Sequence, residues 1–277
     1  MPPLPDVVSS LAYSLTDRTL RFDFDGPAPL TRQPPPLVHH VAQRSAAWHD
    51  LRVGRVTGTG AYFLLPRKRL GLFQSTARRD YLWQLVRESL TGRPHGSRFE
   101  SGAMRRGRLL EAPALDAYAA RTGYTVQTTG FVAHATLPAG ASLDGHVGEF
   151  EGVVEVKAPN TLAHLAYGLG HKRIPRDYRA QITHALWLTN ASWCDFVSFD
   201  DRLPASQRLH VLRVVRDERH IAWYDRLIRA FCAELAPVTA IVAYYQTADL
   251  MLVREVHAAG ARILEGRGGL SPMRRAA

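Results

Sequence analysis

The sixteen residues from Ser142 to Lys157 constrain this chain more than any other stretch. An Asp144-Gly145 turn signal is followed, after a hairpin-like gap, by Val153-Val154-Glu155-Val156-Lys157. Side chains on a strand alternate between faces, so the spacing predicts a strand over 152–158 with Val154 and Val156 on one face. Glu155 and Lys157 then stand side by side on the other. A strand of this kind must bury its valine face in a core and present a carboxylate and an ammonium together on the opposite side.

That pairing has chemical consequences. Asp144 and Glu155, a hairpin apart, can together hold Mg²⁺, which takes oxygen ligands and keeps several waters. A lysine beside such an ion can polarise an attacking water or steady charge growing on a phosphate. Asp…Glu-x-Lys is the working part of many metal-dependent nucleases. Taken alone, a Glu-x-Lys pair is equally a solvated ion pair on a strand, so its surroundings have to decide.

Composition narrows the choices. The 277 residues suffice for one sizeable core with peripheral elaborations. No run approaches the ~18 consecutive apolar residues of a membrane span, and Met1 to Asp6 lack the basic-then-apolar order of a secretory signal. Cys194 and Cys232 lie in apolar segments without metal-ligand spacing and read as buried thiols in a reducing compartment, which implies a cytoplasmic protein. His39-His40 has no third ligand nearby, which argues against zinc. With 35 Lys+Arg against 25 Asp+Glu, the net charge of +10 attracts polyanions. Arg67-Lys68-Arg69, Arg78-Arg79 and Arg105-Arg106 with Arg108 are the local clusters.

Along the chain, residues 1–40 carry eight of the seventeen prolines and read as an extended arm with one hairpin around Asp25-Gly26. The globular part is expected from Val41. Helices are expected over 43–52, 59–66, 76–91 and 103–122, the last closed by Gly123 and kinked or restarted at Pro113. Strands are expected over 124–133, 141–147 and 152–158, then a helix over 161–169. A helix opening at Pro175 and ending at Asn190, strands 193–200 and 208–215, and two helices divided by Pro237 complete the chain. This order predicts an α/β fold with a mixed central sheet flanked by helices.

Further site candidates flank the strand. Glu111 lies on the 103–122 helix as a third carboxylate. Tyr178 and Gln181, at i and i+3, share a helix face. Arg52 precedes a turn with hydroxyls at Thr57 and Thr59 where a helix begins, a plausible seat for a terminal phosphate.

These pieces fall in five ordered blocks: Ala47-Trp48-His49 with Leu51-Arg52, Gly54 and Thr57; Gly107 with Glu111; Ser142 with Asp144-Gly145; Glu155, Lys157 and Pro159; and Tyr178 with Ala180-Gln181, Leu186-Trp187 and Thr189. Together they resemble the phage λ exonuclease family, or YqaJ-type viral recombinases, over about residues 45–232. The resemblance implies a restriction-endonuclease-like, PD-(D/E)XK core. It implies degradation of one strand of linear duplex DNA from the 5′ end with Mg²⁺ (Mn²⁺ as a substitute ion), releasing mononucleotides and leaving a 3′ overhang for recombination. Asp144, Glu155, the Val156 carbonyl and Glu111 would be metal ligands. Lys157 would be the catalytic lysine, with Gln181 and Tyr178 completing the site. Arg52, Thr59 and Ser142 match positions that hold the 5′ phosphate. Ring-shaped, commonly trimeric assemblies and a single-strand annealing partner are implied by the same likeness.

Two departures stand out. Gly58-Thr59 replaces the family's alanine-serine, and Ala163 stands where the λ enzyme has an arginine, which predicts a modest preference for 5′ phosphate. The alternatives are a related endonuclease or repair nuclease, and a noncatalytic DNA-end-binding protein. Nucleases of this core that carry an iron–sulfur cluster need four cysteines, and two cannot supply one. The residues outside 41–235, namely the arm 1–40 and a helical extension 236–277, have no assigned role.

Overall fold

The alternating stretch is a strand, Gly152–Lys157, and it is the middle strand of a five-stranded sheet. The structure, a computed structural model, describes residues 32–65, 76–95, 101–171 and 173–247. The expected hairpin near Asp25-Gly26, the cluster Arg67-Lys68-Arg69 and the end of the chain past Thr247 lie outside the described residues.

The first elements are strand β1 (Leu37–His39) and helices α1 (Ala46–Arg52), α2 (Ala61–Leu64), α3 (Thr76–Thr91) and α4 (Gly102–Thr122). Short strands β2 (Val126–Gln127), β3 (Phe131–Ala133), β4 (Gly140–Ala141) and β5 (Gly145–Val147) lead to β6 (Gly152–Lys157). Then come α5 (Thr161–Gly168), α6 (Arg176–Thr189), β7 (Trp193–Phe199), β8 (Leu209–Val215) and α7 (Glu218–Thr247).

The large sheet has the order β2-β5-β6-β7-β8. Only β6 and β7 run parallel, joined by the crossover through α5 and α6; the other pairs are antiparallel. Helix α4 covers one face. Its Leu110, Ala114, Leu115 and Tyr118 pack with Val154 and Val156, as the valine alternation requires. Helices α5 and α6 cover the other face, where Tyr167 and Tyr178 meet Phe196. This is the expected α/β architecture, a mixed sheet between helices.

The expected strands 124–133 and 141–147 are each broken in two. Their halves belong to different sheets, because β1, β3 and β4 form a separate antiparallel sheet. At Gly130 the chain passes so close to Val41 that a Cβ would lie 2.0 Å from the Val41 carbonyl oxygen, a crossing that glycine allows. The second break, Ser142 to Asp144, lies at the site described below.

The prolines behave differently from their local rule. α4 continues through Pro113, and α7 continues through Pro237 where two helices are expected. For α4, buried residues on both sides of the proline hold the helix against the sheet and offset the missing hydrogen bond. Pro175 is the N-cap rather than the first helical residue, and Asn190 closes α6 in the left-handed region with φ 60°.

The described part of the arm also packs. Buried Gln33 donates from its backbone N–H to Asn190 Oδ1 at 2.7 Å and from Nε2 to Asp225 Oδ1 at 3.0 Å. β1 extends the small sheet. The sequence pattern missed this because a proline-rich stretch carries no periodicity of its own.

Candidate active site

The face of β6 opposite α4 carries the charges. Glu155 is buried at 4% exposure, and the Lys157 ammonium donates to its Oε1. Asp144, in the break between β4 and β5, accepts at Oδ2 from the Val156 N–H at 2.7 Å. Register explains the meeting: Gly145 pairs with Val154, so the residue before Gly145 reaches the Glu155–Val156 peptide.

Electrostatics tie a third carboxylate to these two. Burial, then the charge of Asp144, raises the Glu111 carboxyl to about 7, partly offset by Arg44 and Lys157. Burial likewise raises Glu155 to about 7; Lys157 pulls it down, while the like charges of Asp144 and Glu111 push it further up. Asp144 is raised by burial against the pull of Lys157 and the Val156 amide. Burial disfavours the Lys157 ammonium, but Glu155 and Asp144 outweigh it and hold the lysine above its usual range. Lys157 is therefore a standing cation and not a base at neutral pH.

Whether these residues fit a divalent ion can be read from the donors. Three mutually repelling, desolvated carboxylates are the donor chemistry Mg²⁺ uses. Among the described residues, however, no three such side chains converge closely enough to hold an ion as they stand. The reason is visible: Glu155 is turned to Lys157, and Asp144 to the Val156 amide. The donor set fits, and its closure on an ion requires the Glu155–Lys157 pair to open.

Beside the carboxylates lies a cavity of about 30 Å³ whose lining includes Arg52, Gly58, Thr59, Ser142, Glu155 and Gln181. Five residues singled out from sequence thus meet around one space. Arg52, at the end of α1, donates from Nη1 to Ser142 Oγ at 3.1 Å, and Ser142 also accepts from Trp48 Nε1 at 2.8 Å. The Arg52 guanidinium lies over the Trp48 ring at 4.3 Å. Burial lowers its pKa, against the pull of Tyr81 and Glu88. Arg52 also borders a larger cavity of about 850 Å³ that reaches Arg55, Glu88 and Arg93. Gly58 admits Gln181 closely, since a Cβ there would lie 3.1 Å from Gln181 Cγ.

Tyr178 meets the site through its ring. Its ring stacks on Phe196 with centroids 5.9 Å apart and lies 5.1 Å from the Lys157 ammonium. Trp48, which holds both Ser142 and Arg52, stands inside the first motif block, yet its residue type alone signals no role there. Nor do Gln43 and Arg44, which precede that block.

Residues 47–192 match the family model described as YqaJ-like viral recombinase domain. Among solved structures, an alkaline exonuclease (LHK-Exo) from Laribacter hongkongensis is 32% identical, with 73% of this chain and 98% of that chain covered and a TM-score of 0.64. LHK-Exo in complex with dAMP matches at the same identity and coverage with a TM-score of 0.63. A phage-related exonuclease from Haemophilus somnus 129PT, 14% identical over 69% of this chain and 96% of that one, shares the fold at a TM-score of 0.50. No curated protein matches significantly.

Proposed function

The chain belongs to the YqaJ-like viral recombinase family, and we propose on that premise that it is a Mg²⁺-dependent 5′→3′ exodeoxyribonuclease. It acts on linear duplex DNA, releases mononucleotides and leaves 3′ single-stranded overhangs for phage-type recombination. The observation that carries this reading is the junction of two half-sites. The Asp144–Glu155–Lys157 cluster opens directly onto the cavity of Arg52, Thr59, Ser142 and Gln181.

Asp144, Glu155, the Val156 carbonyl and Glu111 are the residues that would hold Mg²⁺, with Mn²⁺ as a substitute. There the ion would lower the pKa of a water and neutralise charge on the scissile phosphate. The remaining work belongs to the side chains. Lys157, kept protonated by its carboxylate neighbours, stabilises the negative charge that grows on the phosphate. Tyr178 holds the ammonium under its ring face, and Gln181 orients the attacking water or a phosphate oxygen. Arg52, Thr59 and Ser142 bind the terminal 5′ phosphate and so set the first phosphodiester beside the carboxylates.

The same reading includes a single-strand annealing partner, a trimeric ring around DNA and action in the cytoplasm of a bacterial host. No helix among the described residues is long and apolar enough to cross a membrane. It also divides the chain into an arm 1–40, a nuclease domain 41–235 and a helical extension 236–277.

The test uses linear duplex labelled at either the 5′ or the 3′ end, with Mg²⁺ and a covalently closed circle as control. The 5′ label leaves first, as mononucleotide, and the circle stays intact. Early loss of 3′ label would reverse the polarity, linearisation of the circle would make the protein an endonuclease, and binding without cleavage would make it an end-binding protein.

A further inference from the structure

Gln43 ties the chain ahead of α1 to the Asp144 break. Its Nε2 donates to the Leu143 carbonyl at 3.3 Å and to the Thr129 carbonyl at 3.4 Å. The next residue, Arg44, has φ 67°, a conformation that glycine adopts freely and other L residues avoid. The chain then enters α1 through Ser45, whose Oγ accepts from the Trp48 N–H at 3.2 Å. Arg44 is exposed, and its strained backbone follows directly on Gln43, which is docked one residue from Asp144. The Arg44 charge is near enough to draw down the carboxyls of both Glu111 and Asp144.

α1 therefore has an arginine at each end of the site: Arg44 before its N-terminus beside Glu111 and Asp144, and Arg52 in its last turn on Ser142. The helix between them has seven residues and is about 10 Å long. That is about three times the ~3.4 Å axial rise per nucleotide of a stacked strand, long enough for the two arginines to meet different phosphates.

Balancing the carboxylates does not account for Arg44. Lys157 already pairs with Glu155 and offsets Asp144, and an exposed arginine adds little in high dielectric. A divalent ion among the carboxylates would moreover repel it. A planar guanidinium with five donors matches the one anion left, a phosphate.

We propose that Arg44 grips a backbone phosphate of the DNA strand being cut, beside the Glu111–Asp144 carboxylates and at the opposite end of α1 from Arg52. The proposal rests on the nuclease reading above.

Arg44→Gly and Arg44→Lys test it. Glycine suits φ 67°, so Arg44→Gly keeps or raises the melting temperature while removing the charge. With binding measured in a Glu155→Gln background, Arg44→Gly should reduce the slope of log affinity against log salt by about 0.7–0.9, the share of one phosphate contact. In the active protein it should raise KM for linear duplex by about tenfold, one lost charged contact, with kcat much less affected. Arg44→Lys should recover part of the loss. An unchanged salt slope and KM would overturn the proposal. So would a variant in which only the Mg²⁺ midpoint moves, since that assigns Arg44 to charge balance. If wild-type protein leaves linear DNA intact, the nuclease reading fails separately, and the salt slope still decides the role of Arg44.

Discussion

The Lys157 ammonium rests on the Glu155 carboxylate two residues back on the same face of the central strand. This contact keeps Lys157 charged and Glu155 occupied at once. Glu155 is thus held by a cation of the chain's own until another cation competes for it.

Substitutions at this pair should separate chemistry from binding. Glu155→Gln or Asp144→Asn should abolish cleavage while duplex binding persists or tightens, because negative charge facing the DNA is removed. Lys157→Ala should cost about 10²-fold or more in turnover, the loss typical of one preorganised electrostatic group. Near wild-type turnover of either carboxylate variant in Mg²⁺ would remove these residues from the site.

Mg²⁺ should act on stability in a pH-dependent way. The Glu155 and Glu111 carboxyls rise from 4.5 to about 7 in the folded, metal-free protein. Their contribution is fully present below about 4.5 and is lost as pH rises through about 7. His134 and His184, lowered by burial from 6.5 to about 4, act oppositely in an overlapping window, losing stability as pH falls below 6.5. The melting temperature alone therefore mixes two signs, whereas the shift on adding Mg²⁺ cancels the histidines. That shift should be large at pH 8 and nearly absent at pH 5, where protons hold the carboxylates. Calorimetry with and without EDTA at both values checks it, and equal shifts would refute the carboxylate site.

Arg52 should govern the DNA end. Arg52→Ala should slow digestion of 5′-phosphorylated ends more than 5′-hydroxyl ends, narrowing the modest wild-type preference that Ala163 implies. Ser142→Ala removes the acceptor of two hydrogen bonds and should act in the same direction more weakly. Rates on both kinds of end give the answer. Equal slowing would make Arg52 a general backbone contact or a structural residue.

Gly60→Ala should destabilise the turn that carries Thr59. A Cβ at Gly60 would lie 1.9 Å from the Tyr81 hydroxyl oxygen, which accepts from the Thr57 N–H at 3.3 Å. Overpacking of this kind costs about 1–3 kcal/mol, measurable by urea unfolding, and should reduce activity below the melting transition by displacing Thr59.

Much of this molecule is written locally in the chain. The alternation through Val154, Glu155, Val156 and Lys157 dictates a strand with one core face and one charged face, because side-chain direction on a strand depends only on residue parity. The Ser45 and Asn160 caps and the Gly123 stop are likewise local, since each satisfies backbone groups within a few residues. The order of the motif blocks named the family for the same reason: each block is short and its chemistry is readable in place. What the tertiary structure decided is everything that depends on contacts distant in sequence. The expected strand 124–133 splits between two sheets where Gly130 crosses Val41, a meeting no local pattern encodes. Helix α4 runs through Pro113 because buried residues on both sides of it pack on the sheet. The proline-rich arm enters the core through Gln33 and its bonds to residues more than 150 positions away. Arg44 reaches the site only because Gln43, next to it, docks on Leu143, one residue from Asp144.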